Sequence, residues 1–296
     1  MLTGLSAFTL TPFDGDGVDV AAFAGLVNRA AVSAVDSIAV LGSTGSYAYL
    51  NPEERAEVAQ IAAQNVGDKP LIVGIGALRT KDVLKNAESA QAAGANALLL
   101  APVSYQVLTA DDVYGLFSDV NAAVSVPVIV YDNPTTTHFT FTDELYASIA
   151  VLKNIGSIKI PGVPEDPTQA KARIEHLRGI LPEDVTLGVS GDMFAATGLN
   201  AGCHAWYSSM AATLPDLAVP IVQAAAQGDV DGAVKASQQL QPLWDLNARF
   251  GSLRVIAAIA EELDLVSSPC LPLPIRGLQD DDREAVRRAM QRLGLL

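Results

Sequence analysis

One lysine of this chain lies where an apolar strand residue is expected. Residues 154–162 read NIGSIKIPG, so Lys159 interrupts a short apolar run that ends at a Pro-Gly pair. An ammonium group is strongly hydrated and is mostly found at protein surfaces. If the side chain is buried at a strand end, its pKa falls, and the free amine can add to a ketone or aldehyde as a Schiff base. The sequence leaves open a structural ion pair with a strand-end acid, Asp132 or Asp192.

Other polar residues also end or follow short apolar runs. Tyr131 ends the run PVIVY, and a phenol there suits proton transfer to and from a carbinolamine, although it could merely fill space. The turn LGSTGS at 41–46 places Ser43 and Thr44 between glycines. Such a turn offers hydroxyls and backbone N–H groups to a carboxylate, or it is a tight loop that needs glycine for its dihedral angles. The remaining polar residues of this kind are Thr9, Thr11, Asp132, Ser190, Asp192, Ser208 and Ser209.

Eight short apolar runs carry these residues. They lie at 5–10, 37–41, 70–76, 97–101, 127–131, 155–160, 185–190 and 204–208. Most are apolar without alternation, which is typical of strands buried on both faces of a parallel sheet. Most run ends are about 25–35 residues apart, the size of one βαβ unit. We therefore predict a (β/α)₈ barrel with its active site at the C-terminal strand ends, and a doubly wound sheet is the alternative.

The organisation changes after Pro215, where the strand pattern stops. Helices are predicted at 216–227, 229–248, 250–264 and 280–294. We therefore predict a barrel over residues 1–225 and a C-terminal helical extension over 226–296. A short helix at 192–200 is expected between the last two strands, which lie closer together than the others.

Composition excludes several classes of protein. The formal net charge of −14 argues against a nucleic-acid or anionic membrane partner. No apolar run reaches the length of a membrane span. The two cysteines show no disulfide framework, which favours the reducing cytoplasm. The three histidines lack metal-ligand spacing, so no metal is expected.

Five stretches in order resemble the dihydrodipicolinate synthase / N-acetylneuraminate lyase family of class I aldolases. They are FTLTPF at 8–13, GSTG at 42–45, YDNP at 131–134, SIKIPG at 157–162 and SGD at 190–192. The resemblance implies a (β/α)₈ barrel that forms a homo-oligomer, a tetramer or a dimer. It also implies that the enzyme binds pyruvate or another 2-keto acid as a lysine Schiff base and needs no other cofactor.

The resemblance implies a role for each matching residue. Lys159 matches the Schiff-base lysine and Tyr131 the tyrosine that relays protons. Ser43 and Thr44 match the hydroxyl residues that hold the substrate carboxylate, and Thr44 is also expected to hydrogen-bond the tyrosine. Further substrate contacts are expected from Tyr105, Thr136, Gly191, Tyr207 and Ser208, of which Tyr207 replaces a residue that is usually aliphatic.

Several positions depart from the family pattern. Ser46 replaces a usual glutamate, and Ile160 replaces the acidic residue that usually follows the lysine. Thr136 stands where the synthases carry an arginine for the carboxylate of the aldehyde partner, and a neutral hydroxyl cannot make that bidentate contact. Either Ser104 or Tyr105 aligns with a tyrosine that the synthases take from a neighbouring subunit, and Tyr105 is favoured.

The sequence therefore predicts a lyase, an aldolase or dehydratase that acts on a hydroxylated 2-keto acid. The uncharged run Thr135–Thr137 suits a hydroxylated substrate better than a second carboxylate. One alternative is 4-hydroxy-tetrahydrodipicolinate (dihydrodipicolinate) synthase, which condenses pyruvate with aspartate semialdehyde. An alternative of another class is a barrel that binds a keto acid without turnover. A barrel enzyme that uses a phosphate site without a Schiff base is disfavoured, because SGDMF lacks a glycine-rich phosphate loop.

Overall fold

Eight parallel strands close into a barrel in the computed structural model, which describes residues 2–296. Each strand pairs with the next along the chain, and the eighth pairs back with the first. The strands are β1 (Gly4–Phe8), β2 (Ser37–Val40), β3 (Leu71–Gly74), β4 (Ala97–Leu100), β5 (Val128–Tyr131), β6 (Ile155–Ile160), β7 (Thr186–Val189) and β8 (Ala205–Ser208). The predicted (β/α)₈ barrel is confirmed, and the doubly wound alternative is wrong.

Helices follow the strands and cover the barrel. They are α1 (Val20–Ala31), α2 (Pro52–Asn65), α3 (Thr80–Ala93), α4 (Ala110–Ala123), α5 (Pro134–Thr137), α6 (Asp143–Ala150), α7 (Pro167–Ile180), α8 (Ala195–Asn200) and α9 (Pro215–Ala226). Local sequence explains where the longer ones begin. Asn51 caps α2 and Thr109 caps α4, each in a reciprocal capping box with an acid three residues on. The short helix expected at 192–200 is present as a 3₁₀ turn followed by α8.

The C-terminal extension is helical, as predicted. Its helices are α10 (Val230–Gln239), α11 (Gln241–Phe250), α12 (Ser252–Glu262) and α13 (Asp280–Arg292). The single helix expected at 229–248 is wrong, because the chain breaks at Leu240 between α10 and α11. Pro242 lacks the N–H that would continue the ladder from α10 and instead occupies the first turn of α11. The domain division at 225/226 stays a prediction.

The barrel interior holds its own layer of side chains. Alternate strand residues point inward, and the apolar members of this layer are Leu2, Phe8, Ala39, Ile72, Ala97, Leu99, Ala101, Ile129, Tyr131, Ala205 and Tyr207. Near the C-terminal strand ends, the rings of Phe8 and Tyr207 meet edge to face at 6.1 Å between centroids. These rings form apolar walls beside the catalytic candidates.

Gly188 on β7 makes room for the Tyr207 ring. A Cβ at residue 188 would lie 2.2 Å from that ring, whereas a Cβ at Gly115 on α4 would meet nothing within 4 Å. Gly188→Ala is therefore expected to lower the free energy of unfolding by about 1–3 kcal/mol through overpacking. Gly115→Ala is the control and is expected to leave stability unchanged or raised. Urea unfolding measures both, and equal stability of the two variants would contradict the account.

Candidate active site

Strand β6 places Lys159 inside the barrel mouth, and the side chain is 5% exposed. In register it pairs with Tyr131 on β5 and Gly188 on β7. Its Nζ lies 4.2 Å from the centroid of the Tyr131 ring, 5.3 Å from that of Phe8 and 5.9 Å from that of Tyr207. Three aromatic rings therefore surround the Lys159 amine and exclude much of the water that would hydrate an exposed ammonium.

Burial lowers the pKa of Lys159 from 10.5 to about 7, and the charges of Asp192 and Asp132 oppose this only in part. None of the ion pairs formed within residues 2–296 includes Lys159. The structural ion pair that the sequence left open is therefore not made. A lysine with this pKa holds a substantial fraction of free amine at neutral pH, and free amine is the nucleophilic form.

The two acids near Lys159 are held by other groups. Asp192 accepts hydrogen bonds from Trp206 Nε1 at 3.0 Å and from the Ser209 backbone N–H at 3.1 Å, and also from the Ser209 hydroxyl. Asp132 accepts one from the Tyr146 hydroxyl. Burial raises the pKa of both carboxyls. They therefore act on Lys159 through space rather than by direct contact.

The Tyr131 hydroxyl is oriented by two neighbours. It donates to Ser43 Oγ at 3.2 Å and accepts from Asn133 Nδ2 at 2.8 Å. Burial raises the pKa of Tyr131, so the phenol keeps its proton until a stronger base forms nearby. The hydrogen bond expected from Thr44 is made instead by Ser43, because Ser43 is the turn residue that faces β5. Thr44 is itself buried and lines the same space.

A cavity of about 680 Å³ opens at the C-terminal ends of the strands. Its wall includes the predicted residues Ser43, Thr44, Tyr131, Thr136, Lys159, Gly191 and Tyr207. The structure thus brings seven of the nine residues singled out for the site into one space. The volume is in the range of small-molecule pockets.

Two predicted substrate contacts lie elsewhere. Tyr105 is 91% exposed and outside this wall, whereas its neighbour Ser104 lines the cavity. Ser208 is fully buried, and its hydroxyl accepts hydrogen bonds from the backbone N–H groups of Met210 and Ala211. Alternation along β8 explains this, because Tyr207 faces the barrel interior and Ser208 therefore faces away. Tyr105 could reach the site of a neighbouring subunit only in a homo-oligomer. The homo-oligomer stays a prediction.

Several residues of the cavity wall were not predicted from the sequence. Tyr47 is nearly buried there, and its ring lies 5.4 Å from the guanidinium of Arg55. Arg55 is buried and donates to the carbonyls of Gly74 and Gly76, which fixes the turn after β2 against β3. Asn133 lies in the YDNP stretch directly after Asp132, although it was not predicted as a site residue. The contribution of α11 and α12 to the wall had no local signal.

Burial of Lys159 has a consequence for stability. Because its folded pKa of about 7 lies below the value of about 10.4 in an unfolded chain, the unfolded state binds more protons between these pH values. Stability should therefore rise with pH across that window. Lys159→Met is expected to be more stable than wild type at pH 7 by about 2–4 kcal/mol, and the difference should shrink toward pH 10.

Urea unfolding of wild type and Lys159→Met at several pH values measures this difference. Lys153→Met, at an exposed lysine, is the control and should track wild type. A stability gap for Lys159→Met that does not change with pH would contradict the burial argument.

No helix within residues 2–296 is long and apolar enough to cross a membrane.

The chain matches the dihydrodipicolinate synthetase family over residues 1–293. An uncharacterized DapA-like lyase of Halobacterium salinarum is 29% identical, with 100% of this chain and 95% of that protein covered. A 4-hydroxy-tetrahydrodipicolinate synthase of Bradyrhizobium diazoefficiens is 27% identical, with 97% of this chain and 95% of that protein covered.

A solved structure gives the same result. The crystal structure of a dihydrodipicolinate synthase from Agrobacterium tumefaciens is similar with a TM-score of 0.94 and 43% identity, covering 99% of this chain and 98% of that one. The likeness extends over both the barrel and the C-terminal helices. The chain therefore belongs to the dihydrodipicolinate synthetase family.

Proposed function

We propose that this protein is a class I lyase in which Lys159 forms a Schiff base with a 2-keto acid. One observation carries the proposal: an amine with a pKa of about 7 is buried in a small-molecule cavity beside an oriented phenol. Perturbed pKa values cluster at functional sites, where the shifted group serves as a nucleophile or a general base. Membership of a family of lyases and synthases supports the same reading.

The chemistry would proceed as follows. The substrate carboxylate binds at the Ser43–Thr44 turn, and the neutral Nζ of Lys159 attacks the ketone carbon. Tyr131 gives its proton to the alkoxide oxygen and takes one from the nitrogen, which yields the neutral carbinolamine. A second proton from Tyr131 releases the hydroxyl as water and leaves a protonated imine, and the phenolate regains its proton from the substrate group deprotonated in the next step. The protonated imine then accepts the electron pair of the bond that breaks at the neighbouring carbon. This covalent imine supplies the electron sink, so the proposed chemistry calls for no metal or other cofactor.

The substrate is proposed to be a hydroxylated 2-keto acid, cleaved by an aldolase or dehydrated. Thr135, Thr136 and Thr137 line the cavity, and uncharged threonine side chains suit substrate hydroxyls. The synthase reaction on aspartate semialdehyde is less well supported, because Thr136 cannot bind a carboxylate as an arginine does.

Steady-state kinetics test the proposal. The protein is compared on keto-deoxy sugar acids, on 4-hydroxy-2-keto acids, and on pyruvate plus aspartate semialdehyde. We expect the highest kcat/KM on a hydroxylated 2-keto acid. A clear preference for pyruvate plus aspartate semialdehyde would make the chain a synthase. Binding of keto acids without turnover across the panel would favour the non-catalytic barrel.

A further inference from the structure

Part of the cavity wall comes from the C-terminal helices rather than from the barrel. Asn247 lies near the end of α11, and Arg254 lies in the first turn of α12; both line the cavity that holds Lys159. The side chain of Arg254 is anchored, because its Nε donates to the backbone carbonyl of Arg276 at 3.1 Å. This contact fixes one edge of the guanidinium and leaves its two terminal nitrogens for a ligand.

Arg254 differs from most other arginines of the C-terminal helices. Arg249, Arg283 and Arg287 each pair with an aspartate or a glutamate. No ion pair within residues 2–296 includes Arg254. A chain with a net charge of −14 thus keeps one guanidinium without an acid at the wall of a cavity for an anionic substrate. Such a cation offsets the repulsion that an acidic protein exerts on a substrate with two negative charges.

Two neighbouring features suit a ligand with both hydroxyls and an anion. The Oδ1 atom of Asn247 is buried and has no hydrogen-bond partner among the described residues. A buried acceptor without a partner is costly, and a hydroxyl donated by a ligand in the cavity would satisfy it. The first turn of α12 contains no acidic residue and no capping side chain, so its positive dipole end is not neutralised.

We propose that Arg254 binds a second anionic group, a carboxylate or a phosphate, at the far end of a hydroxylated 2-keto acid. The inference rests on the proposed function and specifies its substrate class. The planar guanidinium can bind either anion with two parallel hydrogen bonds. The distal anion is thereby recognised from α12 rather than from the segment after β5, where Thr136 stands.

Borohydride trapping on Lys159 tests the subsite without knowledge of the natural substrate. Matched keto acids differ only at the far end: 2-oxoglutarate against 2-oxopentanoate, and 2-oxoadipate against 2-oxohexanoate. A six-carbon 2-keto acid with a terminal phosphate distinguishes phosphate from carboxylate. The concentration of each that half-saturates adduct formation is read by peptide mass spectrometry, with pyruvate as the reference that lacks a distal group.

We expect at least one dicarboxylate or the phosphate compound to half-saturate adduct formation at a concentration about tenfold or more below that of the matched keto acid without a distal anion. Arg254→Gln should remove this preference and leave pyruvate trapping unchanged. Arg254→Lys should restore part of it, because the charge remains while the fork geometry is lost. Arg292→Gln, which removes an exposed charge outside the cavity wall, is the matched control and should behave as wild type.

Two results would overturn the subsite. One is a preference for distal anions that survives Arg254→Gln, and the other is the absence of any such preference in wild type at every chain length. Normal trapping of pyruvate in those experiments would leave the proposed function standing. No adduct with any keto acid, pyruvate included, would instead overturn the proposed function and with it the substrate class inferred here.

Discussion

Replacing Lys159 with alanine is expected to abolish turnover of every 2-keto acid, a loss of at least about 10³-fold in kcat/KM. The amine is the proposed nucleophile, and no other lysine lines the cavity within residues 2–296. An arginine of the cavity wall such as Arg254 cannot take over this role, because its guanidinium stays protonated and cannot attack a carbonyl. Lys159→Met keeps a similar volume and is the variant least disturbed in packing.

The control is Lys153→Ala, at an exposed lysine near the start of β6, which should retain full activity. Thermal unfolding of each variant shows whether a loss of activity comes from a loss of fold. Activity within tenfold of wild type in a folded Lys159→Met protein would exclude Lys159 as the nucleophile.

Tyr131→Phe is expected to lower kcat by about 10²–10⁴-fold while the fold is retained. Only the hydroxyl is lost, and with it the proposed proton relay and the hydrogen bonds to Ser43 and Asn133. The ring that faces Lys159 Nζ remains. Adduct formation with pyruvate should therefore slow down but still occur on Lys159, which rapid mixing followed by borohydride quenching measures.

Tyr207→Phe is a matched control in the same barrel. The Tyr207 hydroxyl is hydrogen-bonded to Ser157 Oγ at 2.7 Å inside the barrel, so its loss affects stability by about 1 kcal/mol rather than proton transfer. We expect kcat of this variant to stay within about tenfold of wild type. Equal losses of kcat in the two phenylalanine variants would argue that packing, not the Tyr131 proton, limits the reaction.

The sequence contained the information for the barrel because each strand is buried on both faces. Runs such as PLIVGIG and ALLLA are therefore apolar throughout and easy to separate from the helices between them. Lys159 and Tyr131 were visible for the same reason, since a polar side chain in an apolar strand end stands out. The burial of Lys159 among aromatic rings agrees with its predicted environment.

Other features depended on orientation or on tertiary contact. Ser208 was expected at the site, but Ser209, one residue beyond β8, lines the cavity instead, and the apolar run alone does not show which side chain points inward. Whether Ser43 or Thr44 hydrogen-bonds the Tyr131 hydroxyl depends on the path of the turn at 41–46, and in the structure it is Ser43. Arg254 lies 95 residues after Lys159 in the chain, and only folding of α12 over the barrel mouth brings both to one cavity.

The most direct test of the account is to trap the covalent intermediate. The protein is incubated with pyruvate, reduced with borohydride and digested, and the peptide that contains Lys159 is examined by mass spectrometry. The account predicts a reduced pyruvate adduct on Lys159 alone, absent from Lys159→Ala. Absence of an adduct with pyruvate and with longer 2-keto acids, in a protein that is folded, would contradict the Schiff-base mechanism.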